Sequence, residues 1–267
     1  MTKPTVQSRS PTGASDPTRP ARLTTVVSDK SQWVLIVLLI IGVPTVFLRT
    51  TLTTFDIPQL TLLWMLAGAV ALIGFHRLID SGNLTIGPLA LTITSACFLT
   101  SLFLTSVLSE QPWVAFTGLT VRGAGALTYA LCLGLLHTVY RLGRRRSAVP
   151  LLLAFVVAHV LVAGYTLLQA GGRDPFVWSS GEIYVGPVFS TLGNANFSAG
   201  YLGLTLPILV WVPFGSPCHA ILRLSAGAIV GASVIALTYL DAFQGQVVAL
   251  MAIPVLVHWA WHRRADG

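Results

Sequence analysis

Between residue 33 and residue 261 the chain is a succession of apolar runs broken by short polar loops. A helix needs about 20 apolar residues to cross a hydrocarbon layer of roughly 30 Å. Eight runs approach or meet that length: residues 33–48, 60–76, 86–107, 114–140, 149–169, 195–213, 222–240 and 246–261. The charge pattern agrees. Only 9% of residues are charged, against about 25% in an ordinary soluble domain, and the first 30 residues hold a disproportionate share of them. What remains is too sparse to coat a water-soluble surface. A soluble enzyme is thereby excluded, and so is a disordered chain, which needs low hydrophobicity. A disulfide scaffold is excluded too, because Cys97, Cys132 and Cys218 are isolated thiols in apolar surroundings. The expected fold is all-α, a polytopic membrane helix bundle of about eight transmembrane helices.

Residues 1–30 are rich in Ser, Thr and Pro and show no apolar periodicity. They are expected to form a disordered cytoplasmic tail, followed by a helical membrane domain over 31–267 with an outer loop at 170–194. No small-residue cleavage site follows the first apolar run, so that run reads as an uncleaved anchor. Placing the N-terminus inside puts most Lys and Arg residues on the inner face, leaving Arg49 and Arg173 outside and Arg122 within a span. Both termini are then cytoplasmic. The run Arg141-Leu142-Gly143-Arg144-Arg145-Arg146 belongs to this topology signal, and no nucleic-acid partner is expected. Gly227-Ala228-Ile229-Val230-Gly231 matches the small-residue pattern of closely packed helices.

The unusual residues gather at the outer face. At a rise of about 1.5 Å per residue, a continuous helix from Arg141 would lift Arg122 by roughly 28 Å, to the outer edge of the hydrocarbon. Asp241 reaches a similar height counted from Arg223, about 27 Å. Asn194 and Asn196 open the sixth run, Gln244 and Gln246 open the eighth, and Arg49, Asp56, Arg173, Asp174 and Glu182 occupy outer loops. Ionisable groups in membrane spans are functional candidates by default. Arginine suits phosphate through its planar fork, and a helix start favours anions. A phosphate-bearing lipid headgroup is therefore a coherent ligand for Arg122, Asn194, Asn196, Arg173, Asp241 and Gln244. Four of them also have a plainer reading: Arg122 as a snorkelling interface residue, Asn194 and Asn196 as an N-cap, Asp241 as a helix cap or the partner of a basic neighbour. His137 and His159 read as interhelical hydrogen-bonding residues. No metal-ligand spacing, Walker motif, dinucleotide fingerprint or nucleophile elbow is present, so no cofactor and no metal is expected.

The segment Ser190-Thr191-Leu192-Gly193-Asn194-Ala195-Asn196-Phe197-Ser198-Ala199-Gly200-Tyr201-Leu202 resembles the GTxGNxNxxAxYL stretch of the O-antigen ligase and polymerase superfamily. Phe55-Asp56-Ile57-Pro58 is similar to its FDxPK loop, with Gln59 in place of the lysine. Leu108-Ser109-Glu110-Gln111-Pro112 followed by Gly118 and Arg122-Gly123 resembles its S…P…GxxxRxxG stretch. Leu237 to Gly245 occupies the place of a later motif, with Phe243 or Gln244 where an arginine is usual. The resemblance spans about residues 33–262. It implies a C-type glycosyltransferase-like membrane architecture and transfer of a glycan from a polyprenyl diphosphate carrier to an acceptor hydroxyl at the outer face, with Arg122 holding the diphosphate. Family members usually have more spans and a large basic outer loop, whereas the 170–194 loop has no His. The resemblance therefore also admits a non-catalytic, truncated relative, or a subunit that binds lipid-linked glycan beside a membrane partner.

Overall fold

The computed structural model describes residues 19–51, 53–81, 87–119, 123–178, 188–215 and 219–265. Their regular elements are all helices: α1 Arg19–Thr45, α2 Asp56–Ser81, α3 Leu89–Val107, α4 Pro112–Thr117, α5 Ala126–Gly143, α6 Val149–Ala170, α7 Ala195–Gly215, α8 Ala220–Leu240 and α9 Phe243–Ala265. Among the described residues, four helices are long and apolar enough to cross a membrane: Asp56–Asp80, Leu89–Val107, Val149–Ala170 and Ala220–Leu240. Ala195–Val210 is a shorter apolar helix.

Burial runs opposite to that of a water-soluble protein. On α3 the buried residues are Ser95 and Ser106, while Leu89, Ile93, Phe103 and Leu104 are exposed. On α2, Met65, Leu72, Phe75 and Ile79 are exposed, and Ala67 and Val70 are buried. On α2 and α3, small and polar side chains are among the buried ones and many large apolar ones face outward, the arrangement that lipid surroundings favour. The chain is a membrane helix bundle.

Two cores hold it together. One joins α6 to α9 through Val162, Ala199, Leu202, Leu206, Ala236 and Leu240. The other joins α1, α2, α5 and α6 through Trp33, Ile36, Val70, Leu142 and Leu151. Buried polar contacts cross the same interfaces. His159 on α6 is within 2.6 Å of the Thr205 hydroxyl on α7 and 2.7 Å of the Ser233 hydroxyl on α8. His137 on α5 is 3.0 Å from the Ser95 hydroxyl on α3. Both histidines act between helices, as their sequence positions suggest.

Three expectations need correction. The 114–140 run is not one helix. It divides into α4 and α5, separated by Gly118, Gly123 and Gly125. Gly118 ends α4 with φ 83, and a side chain on Gly125 would collide with the backbone at residues 116–118. A continuous helical rise from Arg141 to residue 122 therefore does not exist. The tail boundary at residue 30 is also displaced, because α1 begins at Arg19. Asp29 and Gln32 are buried against arginines of α2 and α5, which gives this polar stretch a folded partner; residues 1–18 of the expected tail lie outside the described residues. Finally, Gly227 and Gly231 do not mark a close crossing within the chain, for a side chain at either position meets nothing within 4 Å.

The close crossing lies between α7 and α9. A Cβ on Gly203 would collide with the Gly245 carbonyl oxygen, and one on Gly245 would collide with the Ala199 carbonyl oxygen. Only glycine lets the two backbones approach this far. Gly245→Val should therefore destabilise the bundle by about 1–3 kcal/mol or more through overpacking. Gly227→Ala should leave stability unchanged or raise it by up to about 1 kcal/mol through helix propensity. Thermal unfolding of the two variants in the same detergent separates these outcomes.

Candidate functional site at the start of α7

The end of α6 is set by its own sequence. Gly171-Gly172 stops the helix: the Arg173 N–H donates to Leu168 O at 2.9 Å and the Gly172 N–H to Gln169 O at 3.0 Å, with Gly172 at φ 64. This is the paired closure that a glycine in the left-handed region permits. Asp174-Pro175 then forms a turn in which the Phe176 N–H donates to Asp174 Oδ1 at 2.9 Å, the local bond that Asp before Pro favours. Three side chains complete the shell around the carboxylate: the Tyr165 hydroxyl at 2.9 Å, Gln169 Nε2 at 2.8 Å and Trp178 Nε1 at 2.8 Å. Partial burial raises the Asp174 carboxyl, but the bonds from Phe176, Gln169, Trp178 and Tyr165 outweigh it and hold the group below its ordinary carboxylate range.

Gln169 carries the network into the loop before α7. Its Oε1 accepts the N–H groups of Phe189 at 3.1 Å and Ser190 at 2.7 Å. Ser190 Oγ donates to Val162 O at 2.8 Å, Ser198 Oγ to Phe189 O at 2.7 Å, and Thr191 Oγ1 to Pro44 O at 2.7 Å. These bonds satisfy a buried loop whose backbone would otherwise be unpaired. Gly193 follows with φ 72, and any side chain there would collide with the Phe55 ring. Asn194 caps α7: its Oδ1 accepts the Asn196 N–H at 2.8 Å and its carbonyl accepts the Ser198 N–H at 3.0 Å. Gln244, in the first turn of α9, donates from Nε2 to Asn196 O at 2.7 Å.

Four stretches distant in sequence meet here. Phe55 lies against Gly193, and Gln59 Nε2 donates to Thr191 O at 3.1 Å and to Val46 O at 3.3 Å. Leu60 lies against Gly123, whose carbonyl accepts the Thr128 hydroxyl at 2.6 Å. Gln244 closes the far side. Around Phe55 and Phe47 stand the rings of Tyr165, Phe176, Trp178 and Phe189, with centroid separations of 5.1 Å for Trp178–Phe189 and 5.5 Å for Phe55–Trp178. Arg49 sits over Trp178, 5.4 Å from the ring centroid, and donates to Val177 O at 2.6 Å.

The expected site residues divide accordingly. Asn194, Asn196 and Gln244 come together in one hydrogen-bonded unit. Asp241 ends α8 in the left-handed conformation, with φ 49 and an exposed side chain. Arg173 is exposed on the loop beside Asp174. Arg122 and Glu182 lie outside the described residues; Gly123, which follows Arg122, packs on Leu60. Sequence reasoning placed Asp174 in an outer loop but missed its role, and missed Gln169 and Trp178 altogether. The Asp-Pro pair after Gly-Gly was the available signal for a fixed turn, but nothing local indicated the donors on α6. The unit presents amide groups at an exposed helix start, while Arg49 is held over Trp178 and Arg173 is exposed on the loop after α6. Among the described residues no cluster of His, Cys, Asp and Glu is arranged to hold a metal ion.

Asp174→Asn should destabilise the loop by about 1–3 kcal/mol, because an amide turned toward Gln169 and Trp178 presents donors to donors. The acid response should identify the same group. A carboxylate whose folded pKa is depressed contributes stability that is full above the unfolded value near 4 and is lost as pH falls through the folded value. Wild-type melting temperature should thus fall more steeply than that of Asp174→Asn as pH drops below about 4; parallel acid profiles would contradict this role. No protein-family model matches the sequence, and neither the curated proteins nor the solved structures yield a match.

Proposed function

We propose that this chain is an O-antigen ligase-like integral membrane protein. In this reading all eight long helices cross the membrane, both ends of the chain lie on the cytoplasmic side, and the start of α7 opens to the outer face. There the protein takes a glycan from a polyprenyl diphosphate carrier and transfers it to an acceptor hydroxyl. The observation that carries the reading is the contact of Phe55 and Gln59 with Thr191 and Gly193, closed by Gln244 on Asn196. These residues belong to three of the four stretches on which the resemblance rests, and their meeting supports the reading. The helix start and neighbouring arginines suit the chemistry: a departing diphosphate gains charge as the sugar bond breaks, and fixed cationic or N–H donors stabilise it.

A second reading has its own support. Gln59 is spent on two backbone carbonyls, Gln244 on a third, and Asp174 on four donors. Asp174 is therefore poorly placed to accept a proton from an acceptor hydroxyl. A site so largely amide in character fits a non-catalytic relative or partner subunit that binds lipid-linked glycan without transferring it.

Purified protein in liposomes, given a polyprenyl diphosphate-linked saccharide and an acceptor, distinguishes the readings. The transferase reading expects release of polyprenyl diphosphate, reduced by about 10²–10³ in Arg122→Ala and less in Arg122→Lys. Saturable donor binding without release favours the binding protein. Neither binding nor release in the wild type contradicts both.

A further inference from the structure

Near the middle of α1, away from the Pro44–Thr191 contact at its end, lies a second polar cluster. Asp29 is buried, with 6% of its surface exposed. Three arginines converge on it: Arg77 Nη1 on Oδ1, Arg141 Nη1 on Oδ1 at 2.9 Å, and Arg145 Nη1 on Oδ2 at 3.8 Å. Gln32, fully buried, links the same groups, accepting from Arg141 Nη2 and donating from Nε2 to Val70 O at 2.9 Å. The Ser28 hydroxyl in the same turn of α1 is buried and has no partner among the described residues.

The charges do not balance. Among the described residues three guanidiniums face one carboxylate, an excess of two positive charges. The acidic residue next along α2, Asp80, pairs with His76 at 3.1 Å. Arg77 and Arg141 are largely shielded, with side chains 15% and 12% exposed, whereas Arg145 is 51% exposed and opens the cluster to its surroundings. Each guanidinium has five N–H donors; within the described residues one donor of Arg77 and two of Arg141 are used. The arginines are also held in place. Asp29 and Gln32 fix Arg77 and Arg141, and the turn that carries Arg145 is anchored by its N–H on Leu142 O at 2.9 Å, beneath a fully buried Leu142 side chain. Like charges gathered in a shielded position repel one another unless an anion joins them. A phosphate, with several acceptor oxygens, matches such a fork.

We propose that Arg77, Arg141 and Arg145, positioned by Asp29 and Gln32 between α1, α2 and α5, form a binding site for a phosphate group. The phosphate belongs to an anionic phospholipid headgroup or to a soluble phosphate compound. Basic pockets between membrane helices are suited to either. The site does not rest on the proposed transferase function: its residues Asp29, Gln32, Arg77, Arg141 and Arg145 are none of those that meet at the start of α7.

The test uses the full chain in detergent micelles. Native mass spectrometry compares retention of phosphatidylglycerol with that of phosphatidylcholine, and thermal unfolding compares protection by pyrophosphate with protection by chloride at equal ionic strength. The half-exposed Arg145→Gln carries the experiment, because it leaves the Asp29 pairs to Arg77 and Arg141 intact; Arg77→Gln is the stronger variant if it folds. Arg223→Gln, an exposed cation on α8, is the control for general positive charge. A lipid site shows preferential phosphatidylglycerol retention, weakened on the order of tenfold in Arg145→Gln and unchanged in Arg223→Gln. A soluble-phosphate site shows the same dependence for pyrophosphate protection without lipid preference. If neither probe distinguishes folded Arg145→Gln from wild type, or if Arg223→Gln loses as much as Arg145→Gln, the proposal is overturned.

Discussion

A bundle that turns its large apolar side chains outward has little hydrophobic drive left for holding its helices to one another. Beside the two apolar cores, three contacts that fix helix against helix answer that constraint. The Asp29–Gln32 cluster joins α1 to α2 and α5, the His159 hydroxyl pair joins α6 to α7 and α8, and the Gly203–Gly245 crossing joins α7 to α9. Each depends on a partner that water would have made unnecessary. A polar group left alone in an apolar surrounding costs more than the net gain from a hydrogen bond in water.

The same constraint explains how an irregular loop can be buried before α7. Gln169 accepts two consecutive N–H groups, Ser190 and Thr191 donate to carbonyls of α6 and α1, and Ser198 returns to Phe189. With its backbone satisfied, the loop holds Gly193 against Phe55 and presents the start of α7 in a fixed direction. Gln244 adds α9 because the glycine crossing at the adjacent Gly245 brings the start of α9 against the first turns of α7. The site is thus a consequence of packing elsewhere in the bundle, and its amide and aromatic lining gives it rigidity.

Much of this was legible in the sequence. The apolar runs gave the helices closely: the run at 149–169 is α6, Val149–Ala170, and the run at 222–240 is α8, Ala220–Leu240. Asn194 reads as a cap and is one. Other features were hidden for physical reasons. Asp29 lies among Ser, Thr and Lys, and its partners are on helices that only the tertiary fold brings near. The break at Gly118–Gly125 is written in glycines, but the high hydropathy of the flanking residues masks it when only apolar length is counted. Gly227 and Gly231 have the right spacing for a crossing and lie on an exposed face, whereas Gly203 and Gly245, far apart in sequence, make the crossing. Periodicity identifies a helix; it does not identify the neighbour of each face.

The central claim is that the starts of α7 and α9 share one bundle end with the loop before α2. It is tested most directly by disulfide cross-linking in membranes. Cys97, Cys132 and Cys218 would be replaced by Ser or Ala, and Asn196→Cys would be combined with Gln244→Cys. Mild oxidation should then give a rapid and nearly complete bond within a single chain, while Asn196→Cys combined with Leu224→Cys, near the other end of α8, should give none. Failure of the 196/244 pair to cross-link in folded protein, or equal cross-linking of the control pair, would contradict the account.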